Sequence, residues 1–240
     1  MGIRQDAFDF MERAKAHGTA EDLLADLSRN VARLGFDHMV LTGLPMDPNE
    51  VPTVHMNGWP AEWFERYIAQ DHHRHDGVKL HAMQTTRPFF WDEIPPEIAQ
   101  RQETQNVHNE AGTFDLRNGY CVPMFSTAYW QSAVAFATGD EKIRLSKTER
   151  GALDIMAMAA NTAMVAMKHE ESGEPILITD REREIVAWLF AGKTAWETSM
   201  ILGISEQAVR KHLANIRTKF KTSNTVQAIV EGLRSGHFWL

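Results

Sequence analysis

Apolar positions along the chain follow two periodicities, and the switches between them divide it into elements. Phe8, Met11 and Ala14 recur at helical spacing between Arg4 and His17. Leu23, Leu24, Leu27, Val31 and Leu34 do the same in a second helix, which Thr19 caps and Gly35 stops. Phe36 to Thr42 and Val51 to His55 read as two strands around the turn-rich Pro45-Met-Asp-Pro-Asn segment. Helical patterns follow from Ala61 to about Gln70, from Val78 to Thr85, and from Pro95-Pro96 to about Asn109. Two further strands, Gly119 to Phe125 and Gln131 to Thr138, precede a long helix that Ser146 caps and that runs to about Lys168. The order α-α-β-β-α-α-α-β-β-α predicts an α/β fold, an α-β-α sandwich around an antiparallel sheet.

After Lys168 the pattern changes. Residues 170–176 form a polar break, so the predicted domains are 1–169 and 177–240 with a linker between them. The second domain announces its helices by capping chemistry. Thr179 with Glu182, and Thr194 with Glu197, are capping boxes in which hydroxyl and carboxylate each satisfy a free backbone N–H. Gly192 suits the end of one helix, and Gly203 followed by Ser205 suits a tight turn into the next. Short helices, a glycine turn and a basic third helix make a helix-turn-helix pattern. In that third helix Ala208, Val209, Leu213, Ile216 and Phe220 share the core face. Gln207, Arg210, Lys211 and Ala214 lie opposite, where Arg suits guanine and Gln suits adenine in the major groove. Lys193, Thr194, Ser205, His212, Asn215, Arg217 and Lys219 are candidates for phosphate contact.

This segment resembles the DNA-binding domain of the LuxR family of bacterial transcription factors. The matching residues are Leu177, Thr179, Arg181, Glu182, Glu184, Ala191-Gly192-Lys193-Thr194, Ile204-Ser205-Glu206, Val209, His212, Asn215, Ile216, Lys219, Asn224, Gln227 and Ala228. The resemblance implies an all-α, four-helix domain whose last helix, from about Thr225 to Arg234, mediates homodimer contacts on a two-fold symmetric site in double-stranded DNA.

Charge agrees once it is divided by region. The chain carries −7 overall, but residues 175–240 carry +3 and the rest −10, so the basic part is the one suited to DNA. The lone Cys121 excludes an intramolecular disulfide framework and fits a reducing compartment. The first residues lack the apolar stretch of a secretory signal, and no apolar run is long enough to span a bilayer. A cytoplasmic protein with no membrane partner is expected.

Outside the second domain, the unusual composition lies between Trp59 and Trp91. Trp59, Trp63 and Tyr67 recur every four residues on one helix face, and Asp76, Phe89, Phe90 and Trp91 follow. Such aromatics can wall an apolar pocket and still donate hydrogen bonds, while a carboxylate can accept an amide N–H. By residue type alone the stripe reads as packed core more readily than as a pocket. The region also resembles the autoinducer-binding domain of acyl-homoserine-lactone receptors of the same family, through Trp63, Tyr67, Asp76, Trp91 and Gly119, with Arg117 and Pro123 in the same frame. The resemblance implies that the Trp63 N–H bonds a lactone carbonyl, that Asp76 accepts the ligand amide N–H, and that Tyr67 and Trp91 wall the pocket; Phe90, from the same aromatic run, is a further candidate for the ligand site. Trp59 stands where a Tyr often reaches the acyl carbonyl. Gly77 stands in place of a Pro, and Ala135 in place of a Ser or Thr on a strand. These departures imply atypical acyl recognition, favouring a short, branched or aromatic group against Trp130, Phe64 and Phe136.

Other chemistry finds little footing. His72-His73-Arg74-His75-Asp76 is rich in ligand-type side chains, yet adjacent His on a loop rarely converge and Arg74 would repel a metal, so a solvated loop is expected. Cys121 is expected to be a buried structural thiol. No Ser–His–Asp order, phosphate loop or HExxH sequence is present, which leaves an enzyme without a constellation and without a cofactor. The expected function is therefore a dimeric transcriptional regulator that responds to an N-acyl-homoserine lactone, with RNA polymerase as a further partner. The alternative is a regulator of the same type that is ligand-independent or senses another metabolite.

Overall fold

The computed structural model of the chain describes residues 2–45, 47–124, 131–171, 176–235 and 237–238, with backbone alone for 169–171 and 234. They form two compact units, one up to Glu171 and one after it.

In the first unit, α1 (Ile3–Ala14) and α2 (Ala20–Ala32) lead into β1 (His38–Leu44) and β2 (Thr53–Asn57). Then come α3 (Ala61–Ala69), a 3₁₀ turn at His72–Arg74, α4 (Gly77–Ala82), β3 (Phe89–Phe90), and a second 3₁₀ turn at Trp91–Glu93. The elements α5 (Pro96–Ala99), α6 (Gln102–Gly112), β4 (Asn118–Met124), β5 (Gln131–Thr138) and α7 (Lys147–Glu171) complete it. The sheet order is β2-β1-β5-β4-β3, and every neighbouring pair is antiparallel.

The two faces of this sheet differ in side-chain size. Met39, Leu41, Met56, Tyr120, Val122, Val134 and Phe136 project to one side, where they pack with Phe10, Leu23, Leu27, Val31, Leu153 and Met156 of α1, α2 and α7. The alternate positions carry Val40, Gly119, Cys121, Ala133, Ala135 and Ala137, with α3, α4 and α6 over them. Strand residues alternate between faces, so a run such as Ala133-Val-Ala-Phe-Ala is crowded on one side and open on the other. The expected α-β-α sandwich is this arrangement.

Several boundaries differ from the sequence pattern. Both first strands sit about two residues later than their apolar runs imply, because Phe36 turns into the α1–α2 core before β1 begins. The two-residue β3 has no periodicity to read. The single helix expected from Pro95 to Asn109 is two, broken where Arg101 is extended (ψ 135°). Six residues apart on one continuous helix, Ile98 and Thr104 would diverge by roughly 120°. The break turns both toward Gly77.

The second unit is α8 (Asp180–Phe190), α9 (Ala195–Leu202), α10 (Glu206–Lys219) and α11 (Thr225–Arg234), packed around Ile185, Val186, Val209, Leu213, Ile216 and Ala228. Both capping boxes form, and Ser205 and Asn224 cap α10 and α11. Gly192 (φ 78°) and Gly203 (φ 64°) occupy left-handed conformations that other L-residues adopt only with strain.

Candidate ligand and DNA sites

The open face of the sheet bounds a cavity of about 310 Å³. Its floor is Val40, Thr42, Val54, Cys121, Ala133 and Ala135; its roof comes from Trp59 and α3, α4 and α6. The helical spacing of α3 brings Trp63 and Tyr67 to the cavity, and Trp59, just before the helix, stands edge-on to Tyr67 at 5.4 Å. Trp63 meets the same ring at 5.8 Å and stacks on the other side with His72 at 5.4 Å. Trp91 enters because Gly119 has no side chain: a Cβ there would lie 2.5 Å from the indole and 2.2 Å from Phe136 O.

Asp76 is the polar hinge of the site. Its Oδ1 caps α4, accepting from Val78 N (2.9 Å) and Lys79 N (3.3 Å), while Oδ2 accepts the Tyr67 hydroxyl at 2.8 Å. Burial, then the charge and hydrogen bond of Asp76, push the Tyr67 phenol well above its ordinary range, so it stays a protonated donor. Lone pairs remain on the carboxylate for an N–H from a bound molecule. Deeper in the wall, burial also pushes the Cys121 thiol up, which keeps it neutral and inert.

Six of the seven ligand-site residues named from sequence line this cavity: Trp59, Trp63, Tyr67, Asp76, Trp91 and Ala135. Phe90 does not. In β3 its neighbour Phe89 pairs with Cys121 on the cavity side, which turns Phe90 through the sheet onto Tyr120 at 4.8 Å. Phe136 likewise belongs to the opposite face, beside Phe36, whereas Phe64 does line the cavity. Trp130 lies outside the described residues. Thr42, Thr104, His108, Cys121 and Ala133 line it too and were not named as ligand-site residues from sequence; the small residues at alternate positions of β5 were the available signal.

The His72–Asp76 segment is not a solvated loop. His72 is bonded to Glu110 (2.9 Å), which also takes Arg66, and His73 is bonded to Asn49 O (2.9 Å). Lys79, buried, donates to the carbonyls of Pro48, Glu50 and His73, and burial holds its pKa below the usual lysine range. His73 and Lys79 thereby fasten the β1–β2 loop beside α4, while His72 and Arg66 tie this segment and α3 to Glu110 on α6.

In the second unit α10 presents Gln207, Arg210, Lys211 and Asn215 to solvent, with Ala214 and Ala208 half-buried between its two faces. Arg210 is held by Glu206 through two hydrogen bonds to one oxygen, and Lys193 stands 3.8 Å from Glu197. Thr194 and Ser205 cap α9 and α10, which leaves their backbone N–H ends at the surface. Lys219 has a different task from the expected phosphate contact. Its ammonium donates to the buried Glu182 (2.6 Å) and to Leu177 O (2.7 Å). Arg217 is tied to Thr225 on α11.

A domain enclosing a small-molecule cavity, followed by a helix-turn-helix domain with a basic recognition helix, defines a ligand-responsive transcriptional regulator. Comparison with known proteins gives the family. Residues 19–164 match the autoinducer binding domain, and residues 177–231 match the bacterial regulatory proteins of the luxR family. The chain belongs to the LuxR family of quorum-sensing regulators. It is 30% identical to the quorum sensing-dependent transcriptional regulator RpaR of Rhodopseudomonas palustris, over 95% of this chain and 91% of that one. It is 29% identical to the transcriptional activator BjaR1 of Bradyrhizobium diazoefficiens, over 96% and 95%. The fold matches SdiA solved with octanoyl-rac-glycerol, with a TM-score of 0.76 at 22% identity over 95% of this chain and 93% of that chain.

Proposed function

We propose that the ligand is an N-acyl-homoserine lactone with a compact acyl group, and that the protein works in the cytoplasm as a homodimer on a palindromic promoter site. The observation that carries this reading is the Asp76–Tyr67 pair inside the cavity. It offers a fixed acceptor for an amide N–H amid aromatic walls with indole N–H donors for carbonyls. The buried Trp59 indole N–H, which has no partner among the described residues, is suited to the acyl carbonyl that a Tyr would otherwise reach. A cavity of about 310 Å³ is at the small end of ligand sites, and it favours short or branched acyl groups over long straight ones. On α11, Val226 is exposed beside the buried Ala228 and Ile229, which suits that helix to a symmetric partner. Two-fold symmetry then places half-sites about one DNA turn apart, and RNA polymerase is the further partner of such a regulator. No catalytic role is assigned.

The test is thermal unfolding of the purified protein against straight, branched and aromatic acyl-homoserine lactones. A cognate ligand at a hundredfold over its Kd stabilises by about 2.7 kcal/mol. Asp76→Asn should abolish that response. The amide retains an oxygen for the α4 cap but turns an NH₂ toward the ligand N–H. A folded, DNA-binding protein that no lactone stabilises would point instead to a ligand-independent regulator.

A further inference from the structure

Three buried hydrogen-bonding groups of the cavity wall have no partner among the described residues: the Trp59 and Trp91 indole N–H groups and the Thr104 hydroxyl. Such groups are unfavourable until something pairs with them, and unpaired ones are rare in folded proteins. Thr104 stands in the first turn of α6 and is 6% exposed. Its place in the cavity is set by Gly77. A Cβ on Gly77 would lie 2.8 Å from Thr104 Cγ2, and 3.7 Å from Ile94 and Ile98. Gly77 has no positive φ to account for it, so the glycine serves close approach. Because Gly77 follows Asp76 directly, Thr104 is brought to the end of the cavity where the Asp76–Tyr67 pair lies.

We propose that Thr104 is a specificity-determining ligand contact, its hydroxyl donating to an oxygen of the lactone ring, and that the missing side chain at Gly77 admits it to that position. The assignment rests on the lactone reading above. With the ligand amide N–H directed to Asp76, the polar atoms left on the head group are the ring oxygens, which accept and cannot donate. A hydroxyl meets that need, and a side chain at position 77 would displace it.

The experiment measures binding of N-hexanoyl-L-homoserine lactone and of N-cyclopentylhexanamide, which keeps the amide and chain but has no ring oxygen. The full-length wild type, Thr104→Val and Thr104→Ser are compared. Wild type and Thr104→Ser should prefer the lactone. Thr104→Val should weaken lactone binding roughly tenfold, the effect of one hydrogen bond, with the cyclopentyl compound unchanged. The ligand-free melting temperature of Thr104→Val should hold or rise, since an unpaired buried hydroxyl is removed. Equal weakening for both compounds, a lower ligand-free melting temperature, or no change at all would overturn the proposal in favour of packing. If the wild type binds the cyclopentyl compound as well as the lactone, the ring-oxygen contact falls while the acyl-amide site stands. If it binds neither, the lactone reading falls and this contact with it.

Discussion

Lys219 illustrates how a residue type can be right for one task and occupied by another. From sequence it is a cation near the end of a recognition helix; in the fold it neutralises Glu182, whose side chain is 2% exposed. Burial on its own would raise the Glu182 carboxyl. Hydrogen bonds from Lys219 and from the Thr179 amide and hydroxyl outweigh it, so the group sits below the ordinary glutamate range. A carboxyl depressed by folding stabilises the fold above its unfolded pKa, and that contribution is lost as pH falls through the folded value. Lys219→Met should therefore destabilise the second domain by on the order of 3 kcal/mol near neutral pH, since it strands a buried charge. The deficit should shrink on acidification as Glu182 becomes protonated. Urea unfolding of both proteins at pH 7 and below pH 4 measures this; a deficit that persists unchanged in acid would assign Lys219 a packing role. None of this was legible in the sequence, because 182 and 219 meet only when α8 and α10 pack. The same holds for His72 and His73, whose burial depends on Glu110 and Asn49.

Elements defined by local chemistry were legible to within a residue or so. The starts of α8, α9 and α10 are written in Thr179-Glu182, Thr194-Glu197 and Ser205, because a cap satisfies N–H groups only two or three residues away. Gly203 is legible for the same reason. Its φ of 64° is the turn itself, and nothing lies within 4 Å of where a Cβ would be, so the cost of a side chain there is purely of backbone origin. Gly203→Ala should lower stability by about 1–2 kcal/mol without distorting packing. DNA affinity of the folded variant should stay near wild type. A melting temperature equal to wild type would show that the α9–α10 turn relaxes to another conformation. The elements of the ligand domain were harder to delimit. No glycine or proline marks the break between α5 and α6, and two residues cannot show the alternation of a strand such as β3.

For the molecule as a whole, the division of charge is more telling than its sum. A net −7 chain binds DNA through a segment carrying +3, and several of that segment's cations already have intramolecular partners. Arg210 is paired with Glu206, whereas Lys211 is exposed with no ion pair among the described residues. Affinity for DNA should fall steeply with salt. If Lys211 neutralises one phosphate, Lys211→Ala should reduce the slope of log K against log salt by about 0.9. An unchanged slope would remove Lys211 from the phosphate backbone.

The sequence by itself determined what depends on neighbours a few residues apart: the helix caps, the two periodicities, the basic recognition helix and the aromatic spacing that places Trp63 and Tyr67 on one face. It also carried the family resemblance through those residues. Tertiary structure alone decided which side chains share a cavity. A strand residue's face follows from register and from what packs above it, so Phe90 left the site while Cys121, Ala133 and Thr104 entered it. It also decided where space is left. Small residues on one face of a sheet become a ligand cavity only when helices roof them over without filling them.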